Sequence, residues 1–418
     1  MKNSKLLKFT FIAYCSLLIC QLLLKFTLQF NKYQINFEKW SFADWLINYE
    51  GGFVRRGILG QAILYLYNTF GIEIGQMLHI VSLLSTLALV TLTIILFIKN
   101  KLSLFILPTV VMIGTFAIND ITSFRRDQLM LLIIFLILYL YRKYTISNKT
   151  IYYLLFCILG ILMILIHEAS FFCFVPFIFI HQCKKLQIKN ILKSTLFILP
   201  IVVTMGFCCI FKGDETTANI IWDSYRPYFI NTFGKSLPMS EAVNALTWET
   251  IHAVKHHLRV NYLIFPRIFG WLFTFIATFY ICANVNRVTL FSYERKEANS
   301  VSLTSIIVFQ FISLLPMFTV LSCDLGRITI YWTLTSFFIY ALFNNPINIS
   351  LLTDISVWFN NLFNSKLLSN KYFYILIVLV IFCPLVWFTI PIAYNSTIIG
   401  NTHRFIELAY KLFQFHIL

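Results

Sequence analysis

Residues 77–98 read MLHIVSLLSTLALVTLTIILFI, with no Asp, Glu, Lys or Arg among them. At about 1.5 Å of rise per residue, a helix of this length covers the roughly 30 Å hydrocarbon core of a bilayer. Lys99 and Lys101 follow at once. Basic residues in short loops mark the cytoplasmic end of a span. The stretch therefore predicts a transmembrane helix, and the chain on either side repeats the pattern.

Equivalent apolar runs lie at 6–28, 102–118, 124–141, 151–167, 169–181, 195–211, 262–283, 301–321, 328–343 and 372–394, which makes eleven predicted spans. The run 169–181 is short and contains Pro176, so it predicts a partial or broken helix. Segment 58–70 is amphipathic and predicts an interfacial helix. The tail 403–418 is a short twelfth candidate, so the count lies between ten and twelve. The first run is too long for a cleaved signal peptide, and no small-residue cleavage site follows it. The expected fold class is all-α: one polytopic integral-membrane domain over 1–418, with long connections at 29–57 and 212–260.

Composition excludes the alternatives. Hydrophobic residues make up 59% of the chain and charged residues only 12%, whereas a soluble domain carries about 25% charged residues. Such a chain is neither a soluble enzyme nor a disordered protein. The net charge of +16 would suit a nucleic-acid binder, but not at this hydropathy. Orientation accounts for most of it. Lys2, Lys5 and Lys8, Lys99 and Lys101, Arg142, Lys143 and Lys149, and Lys184, Lys185, Lys189 and Lys193 fall on one side, as do Arg287, Arg295 and Lys296, then Lys366 and Lys371. That side is cytoplasmic, with the N-terminus. The opposite short loops hold only Arg125, Arg126 and Arg327. The ten cysteines lie mostly in apolar runs without a CxxC, so neither a disulfide framework nor a zinc site is expected. His252 and His256 sit four apart but lack a clear third ligand, so no metal is expected.

Four polar clusters fall on the non-cytoplasmic side: 48–57 (NYEGGFVRRG), 119–127 (NDITSFRRD), His167-Glu168, and 324–327 (DLGR). Arginine at membrane depth costs roughly 2.5–3.5 kcal/mol even on lenient scales, so something should offset it. Guanidinium forks pair with phosphate oxygens, and Arg55, Arg56, Arg125, Arg126 and Arg327 are the candidates for an anionic ligand. The bland alternative is snorkelling or internal ion pairs. Glycines around the first pair would let backbone approach a ligand closely. Asp324 and Arg327, three apart, suit a structural ion pair. Glu168 ends an apolar helix, where a carboxylate faces a cavity or a partner. His167 precedes it, pointing about 100° away around the helix, and suits a core hydrogen bond better than catalysis. Glu50 and Asp44 are acids of the first long connection; Asp44 sits among Trp40, Phe42 and Trp45, a candidate aromatic belt. Trp222, Tyr225 and Arg226 could bind sugar or anchor the interface. No GxxxxGK[ST], GxGxxG or GxSxG is present, so no nucleotide cofactor is expected.

The GGFVRRGILG stretch, the later RRD, the His-Glu pair and the late D-x-GR resemble membrane proteins of bacterial surface-polysaccharide clusters. The nearest group is the O-antigen or capsule repeat-unit polymerases of Wzy type, with polyprenyl-dependent GT-C glycosyltransferases as structural cousins. The resemblance implies an inner-membrane, multi-pass enzyme of lipopolysaccharide or capsule synthesis. Its substrate would be an oligosaccharide on undecaprenyl pyrophosphate at the periplasmic face, with a flippase and a chain-length regulator as pathway partners and no nucleic acid. The arginines would hold the pyrophosphate, and Glu168, Asp324, Glu50 and His167, in that order, are candidates for the base. No cofactor is required if arginines neutralise the leaving group. Two alternatives remain: a GT-C-type transferase moving one sugar from polyprenyl phosphate, in which Asp44 or Glu50 matters more, and a lipid-linked oligosaccharide flippase. The polar residues gather on one face and no internal repeat is visible, which counts against transport.

Overall fold

The computed structural model describes residues 40–100, 125–183, 187–259, 300–321 and 325–343, with isolated positions elsewhere. Among them every regular element is helical. In chain order these are α1 (Trp40–Ala43), α2 (Gly57–Phe70), α3 (Ile74–Lys99), α4 (Asp127–Ser147), α5 (Thr150–Ile166), α6 (Phe171–Cys183) and α7 (Ile188–Ile210). Then come α8 (Glu215–Ser224), α9 (Arg226–Phe233), α10 (Glu241–Asn244), α11 (Thr250–Leu258), α12 (Ser300–Ser313) and α13 (Leu325–Leu342). Among the described residues, α3, α4 and α7 are long and apolar enough to cross a membrane. The described residues are all-helical, and these three apolar helices mark a membrane protein. The predicted spans at 6–28, 102–118, 262–283 and 372–394 lie largely outside the described residues, as do Asp324 and the tail.

The chain divides into two compact units: Gln29–Ser85 with Ile121–Lys255, and Met1–Leu28 with Thr86–Asp120 and His256–Leu418. In the first, α4 to α7 run up and down. The α4–α5 turn is tight because Asn148 takes the left-handed conformation (φ 52°) and its N–H donates to Tyr144 O. Asparagine tolerates this position better than any residue but glycine. Helix α5 packs on α4 and α7, and α7 on α6. Gly160 of α5 makes room for Ile201 of α7. The start of α4, the end of α5, the start of α6 and the end of α7 thus meet at one end of the bundle.

Two of the predicted boundaries change. Run 169–181 was expected to break at Pro176, but α6 continues through it. The break falls earlier, at His167, whose backbone is extended before a 3-10 turn at Glu168–Ser170. Helix α7 starts at Ile188 and so includes Lys189 and Lys193 in its first turns.

The two long connections pack into a core of their own. Phe37, Phe42, Trp45, Leu46 and Val54 from the first meet Trp222, Tyr225, Phe229, Val243 and Leu246 from the second. Each such side chain contributes roughly 1.5–3 kcal/mol on burial. Helix α2 lies against this core at Gly60, whose missing side chain decides the fit. A Cβ there would stand 2.0 Å from Ile47 O, and Tyr225 Oη donates to Gly60 O at 2.9 Å. Gly60→Ala should therefore destabilise the unit by about 1–3 kcal/mol, read as a lowered thermal midpoint in detergent. An unchanged midpoint would show that α2 is free to shift.

In the second unit, α13 is buried along most of its length. Its hydroxyls stay satisfied by back-bonding within the helix: Thr333 to Thr329 O, Thr335 to Tyr331 O and Ser336 to Trp332 O. Trp332 packs against Phe279, Phe311 and Phe318 and donates to Ile307 O.

Candidate functional site

The loop from Asn48 to Arg56 is held from several sides before it delivers its arginines. Asn48 donates to Ser224 Oγ and accepts from Glu50 N. Tyr49 N donates to Gln61 Oε1, and Gln61 Nε2 to Glu50 Oε1. Arg55 N donates to Phe211 O, which ties the loop to the end of α7. Gly51 and Gly57 are packed against protein, contrary to the expected approach to a ligand, whereas Gly52, at φ 99°, has open space where a Cβ would stand. A Cβ at Gly51 would meet Thr217 O at 2.9 Å, and one at Gly57 would strike the Tyr49 ring at 2.2 Å. Gly51 thus lets the loop pack closely on α8, and Gly57 lets the start of α2 pack on Tyr49.

Arg56 is held in the left-handed region, φ 68°. A non-glycine residue there costs about 1–2 kcal/mol, and its side-chain partners explain why it persists. Nε donates to Glu168 Oε1 at 3.1 Å and Oε2 at 2.9 Å, and Nη2 donates to Oε1 at 2.6 Å. Nη1 lies 3.6 Å from Asp44 Oδ1. Arg126 Nη2 donates to the same Asp44 oxygen at 2.6 Å, and Arg55 Nη1 lies 3.5 Å from Glu168 Oε1. Burial lowers the pKa of Arg56, but the Glu168 carboxylate and then Asp44 outweigh it and raise the net value. Burial pushes Arg55 down, against the pull of Glu168.

Among the described residues, the guanidiniums of Arg55, Arg56 and Arg126 thus meet the carboxylates of Asp44 and Glu168. Arg126 is only 1% exposed. Among the described residues its Nε and Nη1 make no hydrogen bond, and neither does Arg55 Nε. Buried donors of this kind are costly unless something accepts from them.

His167 has a local task. Its Nδ1 accepts from Ala169 N at 3.3 Å and so caps the 3-10 turn that presents Glu168. Since a backbone N–H can only donate, Nδ1 carries no proton in this arrangement. The helical 100° offset from Glu168 does not apply, because His167 stands at the break. His167→Ala should cost about 1 kcal/mol, whereas His167→Asn, which can also cap, should restore most of it. Thermal unfolding of both variants tests this; equal losses would remove the capping role.

Other expected site residues lie elsewhere. Glu50 is exposed and bonds Gln61 rather than the arginines. Arg125 stands just before α4, half-buried. Arg327 opens α13 in the other unit, and Asp324 is outside the described residues. Trp222 and Tyr225 are core residues: Trp222 Nε1 donates to Leu237 O, and both rings pack on Phe229. A sugar ring needs an open aromatic face, so burial overturns that expectation for both. Arg226 is exposed beside Asp223. Asp44, one alternative acid within a candidate aromatic belt by sequence, is in the structure the carboxylate that Arg126 and Arg56 share. The available signal was a lone carboxylate in WSFADW, since a carboxylate buried in an aromatic run needs a cation.

No family model matches the chain, and no curated protein or solved structure matches it.

Proposed function

We propose that the protein is a multi-pass inner-membrane glycosyltransferase that polymerises undecaprenyl-pyrophosphate-linked oligosaccharide units at the periplasmic face. The topology is the eleven-span, cytoplasmic-N-terminus arrangement expected from the sequence. One observation carries the reading: the buried Asp44–Arg126–Arg56–Glu168 network at one end of the helix bundle. Its Arg126 and Arg55 donors that make no hydrogen bond among the described residues suit a phosphate-bearing leaving group.

In the reaction an acceptor sugar hydroxyl attacks the anomeric carbon of the donor. The carbon–oxygen bond to pyrophosphate breaks, and its electron pair leaves with the pyrophosphate. Arg126 and Arg55 neutralise that developing charge. The hydroxyl proton passes to a carboxylate. Glu168 already accepts three hydrogen bonds from Arg56, which makes it a weak base and a positioning residue for the arginines. Asp44, which accepts from Arg126 at 2.6 Å, is the other carboxylate of the network and the candidate for that proton. The central place of an acid from the first long connection also favours a second reading, the GT-C-type transferase that adds one sugar from polyprenyl phosphate.

Deletion of the gene in its host, with the surface glycan run on a gel, separates the two. A lipid core capped by one repeat unit supports polymerisation. A full ladder lacking one sugar supports the single-sugar transferase, and an unchanged ladder overturns both.

A further inference from the structure

Helix α4 begins beside the arginine network. Its first turn closes with Met130 N donating to Arg126 O, so the amides between them have no acceptor within the helix. Arg126 is the N-cap and supplies no side-chain cap. Two residues on stands Gln128, at 0% exposure. Among the described residues its Nε2 and Oε1 make no hydrogen bond, and neither do Nε and Nη1 of Arg126. A buried amide is costly in that state, and the ion pairs and caps of the site do not use this one.

Positions two apart lie on opposite sides of a helix axis, and side chains lean toward the helix N-terminus. Arg126 and Gln128 therefore straddle the open end of α4, their Cα positions about 4–5 Å apart across the axis. A pyranose ring is about that wide. The two sides call for different chemistry. Arg126 has only donors to offer, which suits an anionic oxygen. Gln128 offers donors at Nε2 and an acceptor at Oε1, so its complement must both accept and donate. A fully ionised phosphate only accepts. Asp127, 2% exposed between the two, also disfavours an anion on that side. Two neighbouring sugar hydroxyls meet the demand: one accepts from Nε2 and the other donates to Oε1.

We propose that Gln128 is the specificity-determining residue for the sugar that carries the phosphate, holding the hydroxyls on its second and third carbons. With the phosphate on the first carbon against Arg126, these hydroxyls are the ones that reach across the helix end. The placement of the sugar rests on the glycosyl-transfer reading above. The need of Gln128 for a group that donates and accepts does not.

The test follows thermal unfolding of the full chain in detergent with inorganic phosphate and with glucose, galactose and mannose 1-phosphates. The best of the three should reach its half-maximal shift at about one-tenth of the concentration that inorganic phosphate needs. Its 2-deoxy analogue should lose most of that advantage. Gln128→Leu should respond to the sugar phosphates no better than to phosphate. Without ligand, the same variant should unfold at or above the wild-type midpoint, because it removes an amide that has no partner. A lowered ligand-free midpoint would mark a structural residue and overturn the proposal, as would a sugar preference that survives Gln128→Leu. Sugar phosphates that act no better than phosphate on the wild type would also overturn it, while leaving the phosphate at Arg126 standing. Equal shifts from phosphate-free methyl glycosides, lost in Gln128→Leu, would instead keep the sugar contact and remove the phosphate.

Discussion

Replacing Arg56 by alanine is expected to cost about 3–5 kcal/mol of stability and to abolish function. Stripping one partner from a buried pair leaves the other charge uncompensated, and here Glu168 would lose all three of its Arg56 hydrogen bonds. Glu168→Ala should cost a similar amount, because Arg56 would keep only its longer contact to Asp44 at 3.6 Å. The double variant should be markedly less damaged than the sum, with a coupling of about 2 kcal/mol or more. Thermal unfolding of the four proteins in detergent measures this directly, and additive losses would refute the coupling. The backbone supplies an internal control. Arg56 sits at φ 68°, which alanine tolerates no better, whereas glycine adopts it freely. Arg56→Gly should therefore be about 1 kcal/mol more stable than Arg56→Ala, yet equally inactive. Arg56→Lys should recover little, since an ammonium cannot reproduce the two-pronged contact.

The parts that were legible from sequence are those with a one-dimensional signature. An uncharged run such as 77–98 declares its helix by length alone, and α3 covers it. Two arginine pairs and His167-Glu168 stand out as polar clusters in the sequence, and Arg55, Arg56, Arg126 and Glu168 meet in one set of ion pairs with Asp44. The illegible parts depend on long-range partners. Asp44 and Arg126 are 82 residues apart, and Arg56 and Glu168 are 112 apart; spacing along a chain carries no trace of such meetings. Glycines show that close packing is needed but not against what, so Gly51 and Gly57 suggested a ligand where the structure supplies Thr217 and Tyr49. Trp222 and Tyr225 failed for the same reason. Aromatics in a polar connection suit a sugar platform and a small core equally well, and the deciding fact is that two distant connections pack on each other. His167 misled through helical periodicity, because an apolar run does not reveal where its helix stops.

The sharpest separation of structural from functional roles should come from Arg126 and Asp44. Asp44→Asn leaves Arg126, 1% exposed, without its counter-charge and should cost about 3–5 kcal/mol. Replacing the pair together by apolar residues of similar size, Arg126→Met with Asp44→Leu, removes both charges and can be neutral or stabilising. If the pair existed only to hold the fold, that double variant would be both stable and active. The proposed chemistry requires otherwise: the thermal midpoint should recover while the glycan ladder stays absent. Arg126→Lys isolates the remaining element. Lysine can still meet Asp44 Oδ1, but it lacks the Nε and Nη1 donors that make no hydrogen bond within the described residues. Loss of such a donor to a developing anionic charge lowers turnover by about 10²–10³-fold. Arg126→Lys should thus shorten or erase the ladder with a far smaller fall in thermal midpoint than Asp44→Asn. A stable Arg126→Lys protein with a full-length ladder would mean that these two donors do not serve the leaving group. The buried arginine would then be a counter-ion for Asp44 and nothing more.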